Sequence, residues 1–221
     1  MIEEALRALA NGEFILLYDF DDREGETDLT IRADAVTPAH VRQMRKDAGG
    51  LICTAVHPEA AERLGLPFAR DILSTSSLVE QDGDIPYDPK NHSSFSLWVN
   101  HRETFTGITD RDRSLTITAV AEQVQRSLNG GGHNFGAHFR TPGHMPLLRA
   151  AKRLLDERCG QTELSVALAD LAGITPAVTV CEMLDDETGL ALSKEDARAY
   201  ARKHGLVFIE GKDVVEKWSS R

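Results

Sequence analysis

The feature that most narrows what this chain can fold into is a regular alternation of short apolar runs with amphipathic segments along its length. FILLY (14–18), LICTAV (51–56), FSLWVN (95–100), AVTVCEML (177–184) and LVFI (206–209) have the length of strands, and residues 28–32 alternate as a strand does. Between them, Ile2, Ala5, Leu6 and Leu9 recur with helical spacing until Asn11-Gly12, and Pro38 opens a helix through Lys46 that Gly49-Gly50 closes. Further helices are expected at 57–64, 114–128, 146–157 and 162–172, from Ser193 to about Lys203, and at the end of the chain. Strands interleaved with helices, without a linker or repeat, predict a single α/β (α+β) domain over 1–221 with helices covering a mixed sheet.

Charge excludes some partners. With 25 Lys and Arg against 35 Asp and Glu, the net charge is -10. Nucleic acids and anionic lipid surfaces are bound by neutralising phosphates with basic residues, so neither is expected as a partner. A small anionic substrate stays open if its site is locally basic. No run approaches the roughly 20 apolar residues of a membrane helix. MIEEALRALANGEF lacks the basic start and apolar core of a signal peptide. Cys53, Cys159 and Cys181 are odd in number and form no CxxC, which argues against a disulfide framework or structural zinc. A cytoplasmic, reduced protein is the expectation. Neither GxGxxG after the first strand nor GxxxxGK[ST] occurs, so nucleotide-binding fingerprints are absent.

Four stretches gather reactive groups where strands or helices end. In Arg23-Glu24-Gly25-Glu26-Thr27-Asp28, carboxylates at alternate positions of an extended segment point to one side, so Glu24, Glu26 and Asp28 can converge. Such oxygens suit Mg²⁺, and crowding raises carboxyl pKa values as acid–base work requires; standing alone, the stretch also reads as a solvated acidic turn. Arg140-Thr141-Pro142-Gly143-His144 presents an imidazole on a tight turn. Arg158-Cys159-Gly160-Gln161-Thr162-Glu163 joins two helices; Thr162 or a residue before it would cap the second, and free N–H groups beside Arg158 suit a phosphate. Glu182 sits in an apolar strand, so it must lie at the strand end or carry a partner. Cys53 and Cys181 read as small buried hydrophobes. His133 and His138 share the irregular stretch with His144, and the long segment 74–94 reads as a lid.

In this order, DREGETD, GLICTA, TGITDRDR, RTPGH, RCGQTELS and PAVTVCEML resemble the 3,4-dihydroxy-2-butanone 4-phosphate synthase family over about residues 2–217. REGETD and FRTPGHMPLL are similar to its archaeal, monofunctional branch. The resemblance implies a three-layer α/β/α fold around a mixed sheet. It also implies a lyase of riboflavin biosynthesis that converts D-ribulose 5-phosphate to 3,4-dihydroxy-2-butanone 4-phosphate and formate with Mg²⁺, or Mn²⁺ in its place. A homodimer with active sites at the subunit interface is implied too. Carried over residue by residue, Arg23 and Asp28 bind substrate, Glu24 binds metal, and Arg158, Cys159, Gly160, Gln161 and Thr162 form the phosphate-binding segment. His144 and Glu182 are implied as catalytic; Glu26 is added to them on chemical grounds, and Arg140 as a substrate contact. Where the family commonly has a histidine as second metal ligand, this chain has Gln161, a neutral and weaker oxygen donor. A non-catalytic phosphosugar-binding dimer derived from the synthase is the alternative that this departure leaves.

Overall fold

The computed structural model describes residues 1–76, 85–88, 90–131 and 134–221. His133 and part of the segment expected as a lid, residues 77–84 and 89, lie outside them. In chain order the strands are β1 (Ile15–Tyr18), β2 (Thr27–Arg32), β3 (Cys53–Val56), β4 (Phe95–His101), β5 (Phe139–Arg149), β6 (Ala177–Glu182) and β7 (Val207–Glu210). The helices are α1 (Ile2–Ala10), α2 (Pro38–Gln43), α3 (Pro58–Leu64), α4 (Ala69–Leu73), α5 (Asp110–Leu128), α6 (Phe135–His138), α7 (Gln161–Leu171), α8 (Lys194–His204) and α9 (Gly211–Ser219).

One mixed sheet runs β4-β5-β3-β6-β2-β1-β7. The pairs β3–β5 and β1–β7 are parallel, and the others are antiparallel. Because successive strand residues face opposite sides, Leu16, Leu29, Ile31 and Val56 pack with α2, α3, α5 and α8, while Ile15, Leu17 and Ala55 pack with α1, α7 and α9. The result is the expected three-layer arrangement. Burying both faces explains why the central strands read as continuous apolar runs. Truncating a fully buried side chain such as Leu16 to alanine costs about 2–5 kcal/mol.

Local chemistry sets most helix ends. Thr37 caps α2 through His40 N–H, Thr109 caps α5 through Asp112 N–H, and Ser193 caps α8 through Asp196 N–H. The helix begun at Pro38 ends in a π-helical turn, Met44–Ala48, closed by Gly49 at φ 88°.

One expectation is corrected. Residues 146–157 are not a helix: the chain is extended through Arg149, followed by a 3₁₀ turn at Leu154–Asp156. The apolar spacing of MPLLRAAKRLL is helical, but pairing of β5 with both β3 and β4 wins over it. Of the capping positions expected for α7, Thr162 or a residue before it, the cap is Gly160, where the Glu163 carboxylate reaches back to accept the Gly160 N–H at 3.3 Å.

Candidate active site

Where β2 begins and β6 ends, beside the start of α7, a cavity of about 570 Å³ opens. Glu24, Glu26, Asp28, Arg158, Gln161, Thr162 and Glu182 line it, together with Gly50, Leu51 and Tyr87. The sheet produces this convergence: Asp28 and Glu182 are cross-strand partners, and Leu51 leads into β3 on the other side of β6. Glu182 lies at the strand end, as its chemistry requires, and its Oε2 accepts the Leu51 N–H at 2.7 Å. Gly50 makes room for it, because a Cβ there would overlap the same oxygen.

The acidic stretch is a shaped loop and not a wet turn. Asp19, 1 % exposed, accepts the N–H groups of Glu24 and Glu26, each at 3.0 Å, and Arg23 Nη1 at 3.3 Å. Gly25, at φ 68°, supplies the turn between the two glutamates. Crowding and burial then act on the carboxyls. Burial, with the charges of Glu24, Glu182 and Asp19, pushes Glu26 up to about 7. Asp28 is fully buried and is raised well above its ordinary value by burial and by Glu182, Glu24 and Glu26. Glu182 is raised by burial and the Glu24 charge against the pull of the Leu51 N–H.

Of the two arginines, Arg158 lines the cavity and Arg23 does not, and both already have counter-ions. Arg158 donates from Nη1 to Glu163 and to Ser94 Oγ, both at 2.8 Å, and from Nε to Asp88 at 3.1 Å. Arg23 donates from Nη2 to the same Asp88 oxygen at 3.3 Å and pairs through Nη1 with Glu24 at 3.1 Å. Asp88 Oδ2 thus bridges both guanidinium groups. Burial alone would raise the Asp88 carboxyl, yet hydrogen bonds from Asn91 and Arg23 and the charge of Arg158 hold it below its ordinary value. Cys159 and Gly160 carry the turn into α7 but do not line the cavity.

His144 and Arg140 stand apart. Both are exposed and neither lines the cavity. In β5, Arg140 pairs with Asn100 and Met145 with Val99, so residues 141–144 bulge out of the ladder. Arg140 Nη2 donates to the carbonyls of Arg102 and Thr104 at 2.7 and 3.2 Å, tying the bulge to the turn before α5.

The model of the family described as 3,4-dihydroxy-2-butanone 4-phosphate synthase matches residues 3–217. A synthase of that name from Methanosarcina mazei is 59% identical, over 98% of this chain and 90% of its own. One from Archaeoglobus fulgidus is 56% identical, over 98% and 93%. The chain belongs to the 3,4-dihydroxy-2-butanone 4-phosphate synthase family. A crystal structure of such a synthase in complex with two magnesium ions superposes with a TM-score of 0.79 at 30% identity, covering 96% of this chain and 93% of that one. The chain is therefore a synthase of riboflavin biosynthesis on the expected fold.

As a synthase site, the cavity has donors fit for a hard cation. Gln161 Nε2 donates to the carbonyls of Leu17 and Glu26, both at 3.1 Å. Carbonyls accept only, so the amide cannot be turned over, and its Oε1 is left buried without a hydrogen-bond partner. Asp28 Oδ1 is likewise buried and unpartnered. Among the described residues no group of three or more His, Cys, Asp or Glu side chains is arranged to hold a metal. A cation resting on Glu24 and Gln161 would thus complete its shell with water, as Mg²⁺ commonly does.

Sequence reasoning assigned no role to Asp19, Asp88, Asn100 or Glu163. Only Glu163 carried a usable signal, standing three positions after Gly160 at a helix start. Burial pushes up the thiols of Cys53 and Cys181, in keeping with inert core positions. Among the described residues, no helix is long and apolar enough to cross a membrane.

Proposed function

We propose that this chain converts D-ribulose 5-phosphate to 3,4-dihydroxy-2-butanone 4-phosphate and formate in the cytoplasm. It works with Mg²⁺, or with Mn²⁺ at the same donors, as a single-domain chain in a homodimer with sites at the interface. The observation that carries the reading is the gathering of Glu24, Glu26, Asp28, Arg158, Gln161, Thr162 and Glu182 around one cavity.

The substrate must lose a proton beside its ketone, lose the C1 hydroxyl, rearrange its skeleton and expel C4 as formate. Several proton transfers need groups that titrate near neutrality, and Glu26, at about 7, is placed to take and return protons. Glu182, also raised, is the second such group, and Asp28 anchors substrate hydroxyls between them. Arg158 and Thr162, with Arg23, hold the phosphate once it takes the place of Asp88, which fixes the reacting carbons relative to the two glutamates. Glu24 and Gln161 would hold the metal, whose chemistry when bound is to stabilise negative charge on adjacent substrate oxygens. His144 lies on an exposed bulge outside the cavity. An interface site lets it, with Arg140 beside it, reach the cavity of a second copy.

Formate release from ribulose 5-phosphate, with and without Mg²⁺ and with the four-carbon phosphate identified by mass, tests this reading. Metal-dependent formate in step with that product is expected. Binding of the substrate by the folded protein without formate would contradict it and leave a phosphosugar-binding dimer.

A further inference from the structure

The surroundings of His144 assign its ring a protonation pattern, and so a role. Asn100, at the inner end of β4 and 7 % exposed, faces the bulge that carries the histidine. Its Oδ1 accepts the backbone N–H of His144 at 2.9 Å. A backbone N–H only donates, which settles which end of the amide is oxygen. The remaining end, Nδ2, lies 3.1 Å from His144 Nδ1, nearer than Oδ1, which is 3.4 Å from the same nitrogen and already takes the backbone N–H. An amide NH₂ also only donates, so the shorter of the two contacts is made to the lone pair of Nδ1. The proton of the neutral ring then sits on Nε2, the nitrogen turned away from Asn100.

The amide cannot escape this arrangement by rotating. Gly107, at φ 94°, lies against it so closely that a Cβ would overlap Nδ2, Cγ and Oδ1 together. Gly143 lies as closely on the Val99–Asn100 peptide. Gly107 is itself held by Asp112, which accepts its N–H at 2.9 Å. The glycines of TGIT and of RTPGH thus act at the same residue: Gly107 lets backbone pack on the Asn100 side-chain amide, and Gly143 lets the bulge pack on the Val99–Asn100 peptide.

We propose that Asn100 is a positioning residue that fixes His144 as the Nε2–H tautomer, so that the histidine acts as a neutral hydrogen-bond donor to substrate oxygen. This rests on the synthase reading, in which negative charge develops on oxygens of the enediolate; a donor aimed at such an oxygen stabilises it without moving a proton. Glu26 and Glu182 are then left to carry the proton transfers. An amide, unlike a carboxylate at that position, adds no charge behind the ring.

Long-range ¹H–¹⁵N correlation on uniformly labelled protein, with the ring neutral, reads the tautomer directly and needs neither turnover nor a variant. The expected result is a protonated Nε2 and an unprotonated Nδ1 for His144. A protonated Nδ1, or a mixture of tautomers, would overturn the proposal. Asn100→Asp keeps an acceptor for the backbone N–H but presents only acceptors to the ring, so it should move the proton to Nδ1. In that variant kcat should fall on the order of 100-fold with KM within about twofold. Unchanged kcat, or a loss confined to KM, would sink the assigned role. If the native protein releases no formate at all, the synthase reading fails while the tautomer measurement still decides the place of Asn100.

Discussion

The cavity at the ends of β2 and β6 and the bulge of β5 hold the two kinds of group the chemistry needs, in opposite surroundings. In the cavity, carboxyls are buried and crowded, with Asp28 fully enclosed and Glu26 pushed up to about 7. On the bulge, His144 is exposed, beside a neutral amide, and is held by close backbone packing. The first region is costly to build, since burying ionisable groups without enough partners opposes folding. The second is held by close backbone packing and by hydrogen bonds from His144 N–H to Asn100 and from Arg140 to the carbonyls of Arg102 and Thr104. On the proposed reading, groups that exchange protons sit where burial tunes them, and a group that only donates a hydrogen bond needs direction more than tuning.

That contrast predicts different signatures for two inactivating changes. Glu182→Gln and His144→Ala should each lower kcat by about 100-fold or more. Glu182→Gln should leave Tm unchanged or higher, because a disfavoured buried carboxyl is removed, and His144→Ala should not move it. Calorimetry beside formate kinetics checks both, and a marked fall in Tm for His144→Ala would break the comparison.

Next in size are two glycine changes. Gly50→Ala forces a Cβ onto Glu182, and Gly107→Ala forces one onto Asn100 at a positive φ. Each should cost about 1–3 kcal/mol in urea unfolding. Gly50→Ala should alter the cavity and spare the His144 ring signal, whereas Gly107→Ala should do the reverse. If both changes disturb the same signals, the regions are not separately built.

A smaller effect follows from pH. The folded pKa of Glu26, about 7, lies above its ordinary 4.5, so the folded state holds more protons between these values. Its contribution is therefore full below about pH 4.5 and is lost as pH rises through about 7. Metal-free protein should lose stability over that window, Glu26→Gln should flatten the slope, and Mg²⁺ should reduce it. Urea unfolding across the window, with and without Mg²⁺, measures all three, and a stability that rises through the window would contradict the burial argument. Smallest is Gln161→His, expected to tighten Mg²⁺ by less than about tenfold and to make binding depend on pH near neutrality, because imidazole binds metal only when unprotonated. Titration calorimetry at two pH values decides it.

How far the sequence led depends on the range of the interaction involved. Strands buried on both faces announced themselves as apolar runs, and carboxylates at alternate positions of REGETD did converge on one cavity. The strand Phe139–Arg149 was hidden because its apolar spacing is helical and only its partners, β3 and β4, make it extended. Asp88 was hidden for a similar reason: it meets Arg23 65 positions away and Arg158 70 positions away. Asn100 meets His144 across 44 positions, and neither neighbourhood in the sequence points to the other.

The central claim is that the cavity and the bulge are two halves of one active site, joined only when two copies of the chain associate. Mixing the Glu182→Gln and His144→Ala proteins under conditions of subunit exchange tests it most directly. A mixed dimer then contains one site with a native cavity and a native histidine. Random exchange should restore about a quarter of the native formate release from two inactive proteins. No restoration, with mixed dimers shown to have formed, would mean that each chain builds its site alone and would contradict the account.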